Sequence, residues 1–401
     1  MTQESWVERG RACLTLNYNP QPVVFERGEG AILYDQTGKD YLDFTAGIAV
    51  CALGHGHPAL TEAITQQASK LLHVSNLYFN QPSIELAEKL TDLSFASRVY
   101  FANSGAEANE AAIKLVRRKM KLVRGEARFE IISTTKSFHG RTWAAISATG
   151  QPKYHKGFAP LVPGFVHVPY DDLEAMASAI SEKTCAVLVE PIQGEGGVVV
   201  PSPGYLSGLR RLCDEVGAYL IFDEVQTGIA RTGNWFAHQF EGAQPDVMTL
   251  AKGLGGGVPI GAMLCNDRVA DGFEPGAHAT TFGGNPLVCA VANTVLAVVE
   301  KEGLVERARD LGAYFAQGLA DMVVETAGCL EVRGRGLMRG VGVDCERIDR
   351  TKVVHEARKR GLLITSAGPD AIRMVPPLII SEAQIDDALK RLQAAVKGAT
   401  A

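Results

Sequence analysis

Four polar residues each follow a short apolar run and could act together on one ligand. Ser104 follows RVYFAN, Glu190 follows AVLV, Asp223 follows YLIF, and Lys252 follows VMTLA. In an open parallel sheet, ligands bind outside the carboxyl ends of the strands, so residues at those ends are the first candidates for chemistry. Lys252 stands between an apolar run and the glycine-rich GLGGGVPIG, where bulky groups can approach the backbone closely. Desolvation at such a junction lowers an amine's pKa and leaves it neutral and nucleophilic toward an aldehyde. A carboxylate after four apolar residues, as at Asp223, is costly unless a cation meets it. A protonated pyridine nitrogen would serve; so would a structural ion pair, or the residue could cap a helix. In NSGAEANEAAIKL, Ser104 caps a helix, Glu107 completes a capping box, and Glu110 with Lys114 forms a supporting pair one turn apart. Gly105 and Ala106 then leave backbone N–H groups at the positive end of the helix open to a phosphate, although an ordinary capped helix carries the same signature.

The elements that must position these residues appear as apolar runs alternating with amphipathic stretches between about 58 and 290. The runs are RVYFA before a helix from Ala106, FEIIST, AVLVEP before a helix near 204–216, AYLIFDE, VMTLAK and IGAMLC. Such alternation predicts an α/β fold with a mainly parallel sheet covered by helices. Near-continuous Val, Ile and Leu suit strands buried on both faces. Residues 1–57 read as an N-terminal segment with strand-like stretches from Val23 to Glu26 and from Ala31 to Tyr34. Residues 58–290 form the large ligand-binding domain, and 291–401 a small C-terminal α+β domain. The last part opens with a long helical pattern, followed by LMRGVGVD, a helix from about 351, and strands near LLITS and AIRMV. Its final helix begins with a capping box, Ser381-Glu382-Ala383-Gln384, and presents Ile385, Leu389, Leu392 and Val396 on one face.

Composition excludes several classes. With 401 residues, 46% of them hydrophobic and 21% charged, the chain has the make-up of an ordinary globular protein of more than one domain. A formal charge of -5 without a dense basic run argues against nucleic acid as a partner. Eight scattered cysteines, none in C-x-x-C, predict reduced and mostly buried thiols rather than a zinc knuckle or disulfide scaffold. No metal site is expected: His55-Gly56-His57 has no third ligand nearby and reads as a loop, and H-E-x-x-H is absent. The glycine run fits neither G-x-G-x-x-G nor G-x-x-x-x-G-K-[ST], which weakens a dinucleotide reading. The N-terminus MTQESWVERGRA lacks an apolar segment, so a cytoplasmic protein with no membrane contact is expected.

The ordered motifs TAGIAV, LGHGHP, NSGAEANEAAIK, SFHGRT, VEPIQGEGGV, FDEVQTG, AKGLGGGVPIGA, TTFGGNP and IRMVPPL span nearly the whole chain. Together they resemble the class III aminotransferases that depend on pyridoxal 5'-phosphate, most closely the acetylornithine/succinylornithine group. The resemblance implies aminotransferase fold type I and a homodimer with shared active sites. It implies Lys252 as Schiff-base lysine and proton shuttle, Asp223 at the pyridine nitrogen, and Gln226 at the ring hydroxyl. Phe138 and Val225 would sandwich the ring, and Ser104, Gly105 and Ala106 would hold the phosphate with Thr281 of the partner subunit. Substrate would meet Arg141, Thr280 and Arg373, with Glu195 neutralising Arg373 for the amino donor and releasing it for 2-oxoglutarate. The implied reaction moves the terminal amine of N2-acetyl-L-ornithine or N2-succinyl-L-ornithine to 2-oxoglutarate in arginine metabolism. Free ornithine and 4-aminobutyrate are alternative donors, and a cofactor-bound regulator without turnover is the alternative from another class. Three departures stand out: Ala230 in QTGIARTG where glycine is commoner, Phe282 in TTFGGNP where some relatives carry tyrosine, and Phe79 where ornithine aminotransferases place a substrate-contacting tyrosine. Packing changes are expected from the first two, and from the third a mild preference for an N-acylated donor.

Overall fold

The computed structural model describes residues 1–399. Its centre is a seven-stranded sheet with spatial order Arg98–Ala102, Gly261–Cys265, Val247–Leu250, Tyr219–Asp223, Thr184–Val189, Glu130–Thr134 and Phe165–Val168. Gly261–Cys265 runs antiparallel to both neighbours, while the other adjacent pairs are parallel. Two reversals restore direction, so Arg98–Ala102 points the same way as the parallel strands. The carboxyl ends that precede Ser104, Glu190 and Lys252, and the one formed by Asp223, therefore share one edge. Phe165–Val168 was not foreseen, because a half-buried edge strand of four residues carries little pattern.

Alternating side chains of the central strands enter different cores, which is why Thr184–Val189 and Tyr219–Asp223 are almost wholly apolar. Ala186, Leu188 and Ile221 pack with Ala112, Leu115 and Val116 of helix Gly105–Arg118, whereas Val187, Leu220 and Phe222 pack with Leu206 and Leu209 of helix Tyr205–Val216. The first of these helices starts where Ser104 predicts, with Ser104 Oγ accepting from the Glu107 N–H at 3.2 Å. Two local expectations fail. Glu107 reaches back to the N–H of Asn103 rather than Ser104, so no reciprocal capping box forms. Glu110 and Lys114 do not pair: Glu110 accepts from the N–H groups of Ala144 and Ala145, and Lys114 Nζ lies 2.8 Å from His278 Nδ1. The unsatisfied N–H groups opening helix Trp143–Ala148 need an acceptor more than an exposed side-chain pair does.

The N-terminal segment forms strands Phe25–Glu29, Ile32–Asp35 and Asp40–Asp43. The third pairs in parallel with Leu362–Leu363, tying the start of the chain to its last third. LLITS is thus split, since Thr365–Ala367 joins a separate antiparallel sheet with Cys329–Arg335, Met338–Val343 and Ala371–Met374. The long helical pattern is two helices, Pro286–Lys301 and Leu304–Glu325, divided at Gly303 with φ +60. The final helix, Glu382–Lys397, has the predicted capping box and buries Ile385, Leu392 and Val396. All eight cysteines are free; four are buried, and Cys13 and Cys345 are exposed, so burial is less general than expected. Among the described residues no helix is long and apolar enough to cross a membrane.

Candidate active site

Ser104, Glu190, Asp223 and Lys252 line one cavity of about 440 Å³, together with Gly105, Ala106, Phe138, Arg141, Glu195, Val225 and Gln226. Lys252 begins a short 3-10 turn directly after the Val247–Leu250 strand and Ala251, with φ +42. A left-handed non-glycine residue costs about 1–2 kcal/mol and persists only where surrounding structure imposes it. Burial, and the nearby Arg373 cation, lower its pKa to about 8. A minority of the amine, though far more than in a free lysine, is therefore neutral near physiological pH.

Asp223 ends its strand and is buried, with the direction of its carboxylate set by neighbours on three elements. Its Oδ2 accepts from Asn109 Nδ2 at 2.8 Å and lies 2.8 Å from His139 Nδ1, while Oδ1 accepts from the Val225 N–H at 3.0 Å. Asn109 is fixed in turn by Thr249 Oγ1 at 2.8 Å, and His139 Nε2 lies 3.2 Å from Ser133 Oγ. No Lys or Arg among the described residues pairs with Asp223. Neither Asn109 nor His139 belongs to the set of residues that sequence marks as site groups. Asn109 left one signal, a polar residue among Ala108, Ala111 and Ala112 on the buried face of its helix.

Glu190 accepts from the N–H of Phe138 at 3.0 Å and from that of Gly194 at 3.1 Å, and burial pushes its carboxyl up to about 7. It thereby ties the segment carrying Phe138 to the loop carrying Glu195. Across the cavity, the N–H groups of Gly105 and Ala106 have no acceptor among the described residues. A Cβ at Gly105 would come 2.7 Å from Val225 Cγ1, so glycine there lets the cavity wall close against the helix start.

The substrate candidates divide. Arg373 is buried, and its Nη1 donates to Glu195 Oε1 at 2.5 Å and to Gln226 Oε1 at 3.2 Å, while Nε donates to Thr365. Burial alone would raise the Glu195 pKa, but Arg373 holds it below the usual carboxylate range. This is no surface salt bridge. Arg141 is exposed at the cavity mouth, its guanidinium 4.0 Å from the Tyr154 ring and 5.6 Å from that of Phe138, with no carboxylate partner among the described residues. Thr280 and Thr281 lie outside the cavity of their own chain: Thr280 Oγ1 accepts from Asn103 Nδ2 at 3.2 Å, and Thr281 is exposed beside Phe282. Phe79 is 94% exposed and also lies outside it. His55 pairs with Asp43 at 2.8 Å. The other Asp43 oxygen accepts from the N–H groups of Thr45 and Ala46, stapling a left-handed turn that leads to Val50 at the cavity. Ala230 has φ +65, so its cost falls on the backbone rather than on packing alone.

The class-III aminotransferase family model matches residues 14–396. The chain is 54% identical to an acetylornithine aminotransferase of Gloeobacter violaceus, with 92% of each chain covered. It is 47% identical to a succinylornithine transaminase/acetylornithine aminotransferase of Pseudomonas aeruginosa, covering 95% of this chain and 94% of that one. The crystal structure of an ornithine aminotransferase from Toxoplasma gondii matches with a TM-score of 0.95 at 36% identity, over 99% of this chain and 96% of that one. The α/β architecture is that of aminotransferase fold type I. By sequence match over nearly its full length and by fold, the chain belongs to the class-III aminotransferases.

Proposed function

We infer that the protein transfers the terminal amine of N2-acetyl-L-ornithine, or of its succinyl analogue, to 2-oxoglutarate, giving N-acyl-L-glutamate 5-semialdehyde and L-glutamate. Pyridoxal 5'-phosphate is the cofactor in this reading, and the cavity suits it. The cavity's 440 Å³ lies within the range of small-molecule sites, free N–H groups at a helix start suit a phosphate, and a buried carboxylate without a Lys or Arg partner suits a protonated ring nitrogen. When bound, the cofactor supplies an electron-withdrawing ring that stabilises charge on the carbon losing its proton. Asp223 would keep the ring nitrogen protonated, and Gly105 and Ala106 would hold the phosphate with Ser104 at the same turn. Phe138 and Val225 would bound the ring, and Gln226 would serve its hydroxyl. Lys252 Nζ would take the proton from the donor carbon that bears the terminal amine and, in the acceptor half-reaction, give one to the carbon of 2-oxoglutarate that receives the amine.

The pair of unlike arginines supports a donor whose carboxylate is remote from its reacting amine, and the N-acylated choice among such donors rests on relatives 47–54% identical that are named for acetylornithine and succinylornithine. Arg141 has no carboxylate partner among the described residues and is available to the donor's carboxylate, whereas Arg373 is occupied by Glu195 until a second carboxylate arrives. A donor with one carboxylate remote from its reacting amine, followed by a dicarboxylic acceptor, matches that arrangement. A homodimer with Thr281 of the partner subunit completing the phosphate site belongs to the same reading, as does Thr280 near the substrate. The test compares kcat/KM for acetylornithine, succinylornithine, ornithine and 4-aminobutyrate with 2-oxoglutarate as acceptor. The N-acylated donors are expected to lead by roughly tenfold or more, and equal values across the panel would remove the assignment.

A further inference from the structure

The Glu195–Arg373 pair joins two segments that a second, separate set of contacts also joins. Glu195 lies in the 194–197 loop and Arg373 on strand Ala371–Met374. Three residues before Arg373, Asp370 takes a two-pronged ion pair from Arg333, with Nη1 to Oδ1 at 2.9 Å and Nη2 to Oδ2 at 2.8 Å. The same Arg333 Nη1 donates to the C=O of Gly197 at 3.3 Å, and its Nε donates to Glu331 at 2.7 Å. Between these contacts, the Gly368 N–H donates to the C=O of Glu195 itself at 2.9 Å. Gly368 has φ +57, and a Cβ there would lie 2.2 Å from the Gly196 oxygen, so the two backbones touch without room for a side chain. Other charges bearing on the cluster are Lys136, which helps hold Asp370 ionised, Glu331 on the Arg333 strand, and Arg350, whose Nη1 donates to the C=O of Gly368 at 3.0 Å.

Arg333 and Asp370 are partly exposed and remote from the Lys252 side of the cavity; neither lines it. Planar two-pronged pairing fixes distance and angle together, which a single hydrogen bond does not. We propose that Arg333 and Asp370 are positioning residues for substrate selection: they clamp the main chain of the 194–197 loop against the strand of Arg373. Glu195 can then leave and regain Arg373 by side-chain rotation alone. This deepens the proposed function and rests on the reading of Glu195 as the group that occupies Arg373. Without the clamp, the loop drifts, Glu195 covers Arg373 less of the time, and an uncovered buried cation favours dicarboxylates over an amino donor at every stage.

The test uses purified holoenzyme and measures the donor and acceptor half-reactions separately by visible absorbance. Glutarate, a five-carbon dicarboxylate with no oxo or amino group, serves as an equilibrium probe of Arg373 by calorimetry. Asp370→Asn keeps shape and removes the charge; Arg333→Lys keeps charge and removes the planar fork. Each is expected to lower kcat/KM of the donor half-reaction about tenfold, leave the acceptor half-reaction within about twofold, and tighten glutarate several-fold. Glu195→Gln should shift all three in the same direction and further. A split in Glu195→Gln that neither clamp variant reproduces overturns the clamp alone. A Glu195→Gln variant with both half-reactions unchanged overturns the reading of Glu195, and the clamp with it. Equal loss in both half-reactions with unaltered glutarate binding marks the clamp as merely structural and also overturns the proposal.

Discussion

The floor of the cavity and its mouth are built on opposite principles. On the floor, Asp223, Asn109, His139, Thr249 and Ser133 bond to one another from a strand end, a helix, a loop and two further strands, all of them buried. Each polar group there has its partner before any ligand arrives, which is the condition for burying it at tolerable cost. At the mouth, Arg141 leans on aromatic rings with no anion among the described residues, and just behind it the buried Arg373 is paired with Glu195, a contact that the proposed function would have a substrate carboxylate replace. A preset floor suits chemistry common to every substrate, whereas the mouth is where one substrate is told from another. Relatives that resemble this chain yet carry names for different ornithine derivatives fit that division.

The difference can be broken most severely at the floor. Lys252→Ala should abolish both half-reactions, by roughly ten-thousandfold or more, whichever donor is used; a fully active variant would end the assignment. Arg141→Ala tests the mouth. Loss of a charged two-pronged contact worth about 1.5–3 kcal/mol should lower kcat/KM for carboxylated donors roughly ten- to a hundredfold, with simple amines nearly unaffected. Uniform loss across both kinds of amine would move Arg141 from the mouth to the floor.

A smaller effect is expected at His139, which acts through Asp223. His139→Gln should reduce kcat roughly tenfold with KM for donor and acceptor unchanged, because the carboxylate loses its orientation and not its charge. A change confined to KM for one substrate would contradict a floor role. The smallest effect concerns Asp43 and His55, which hold the turn leading to Val50. The bond to Asp43 raises the His55 pKa from 6.5 to about 9. A raised folded-state pKa means that stability is fully present below 6.5 and is lost as pH climbs through 9. The unfolding temperature should fall by roughly 2 °C over that interval and the fall should flatten in Asp43→Asn, as thermal melts across pH would record.

Much of the fold was readable because its signals are local. The apolar runs that became Thr184–Val189, Tyr219–Asp223, Val247–Leu250 and Gly261–Cys265 are buried on both faces, and such strands announce themselves without alternation; Arg98–Ala102 is only half-buried but keeps an apolar centre. The caps at Ser104 and Ser381 needed only neighbours three residues away. Where partners were distant, local reading failed. Glu110 looks like half of a helical ion pair with Lys114 until helix Trp143–Ala148 supplies N–H groups that need it more. Leu362 to Ser366 looks like one strand until the N-terminal segment claims its first half.

At the site, residue types alone marked Lys252, Asp223, Ser104 and Glu190 as strand-end groups, because an amine or carboxylate after an apolar run is conspicuous wherever the chain later goes. Only the tertiary structure decided what meets them. Hydrogen bonds set the direction of Asp223 and arrive from residues 84 and 114 positions away. The lowered Lys252 pKa depends on burial and on an arginine 121 positions later in the chain. Polarity and spacing belong to the sequence, whereas desolvation and hydrogen-bond direction are properties of packed space and exist only once the chain has folded.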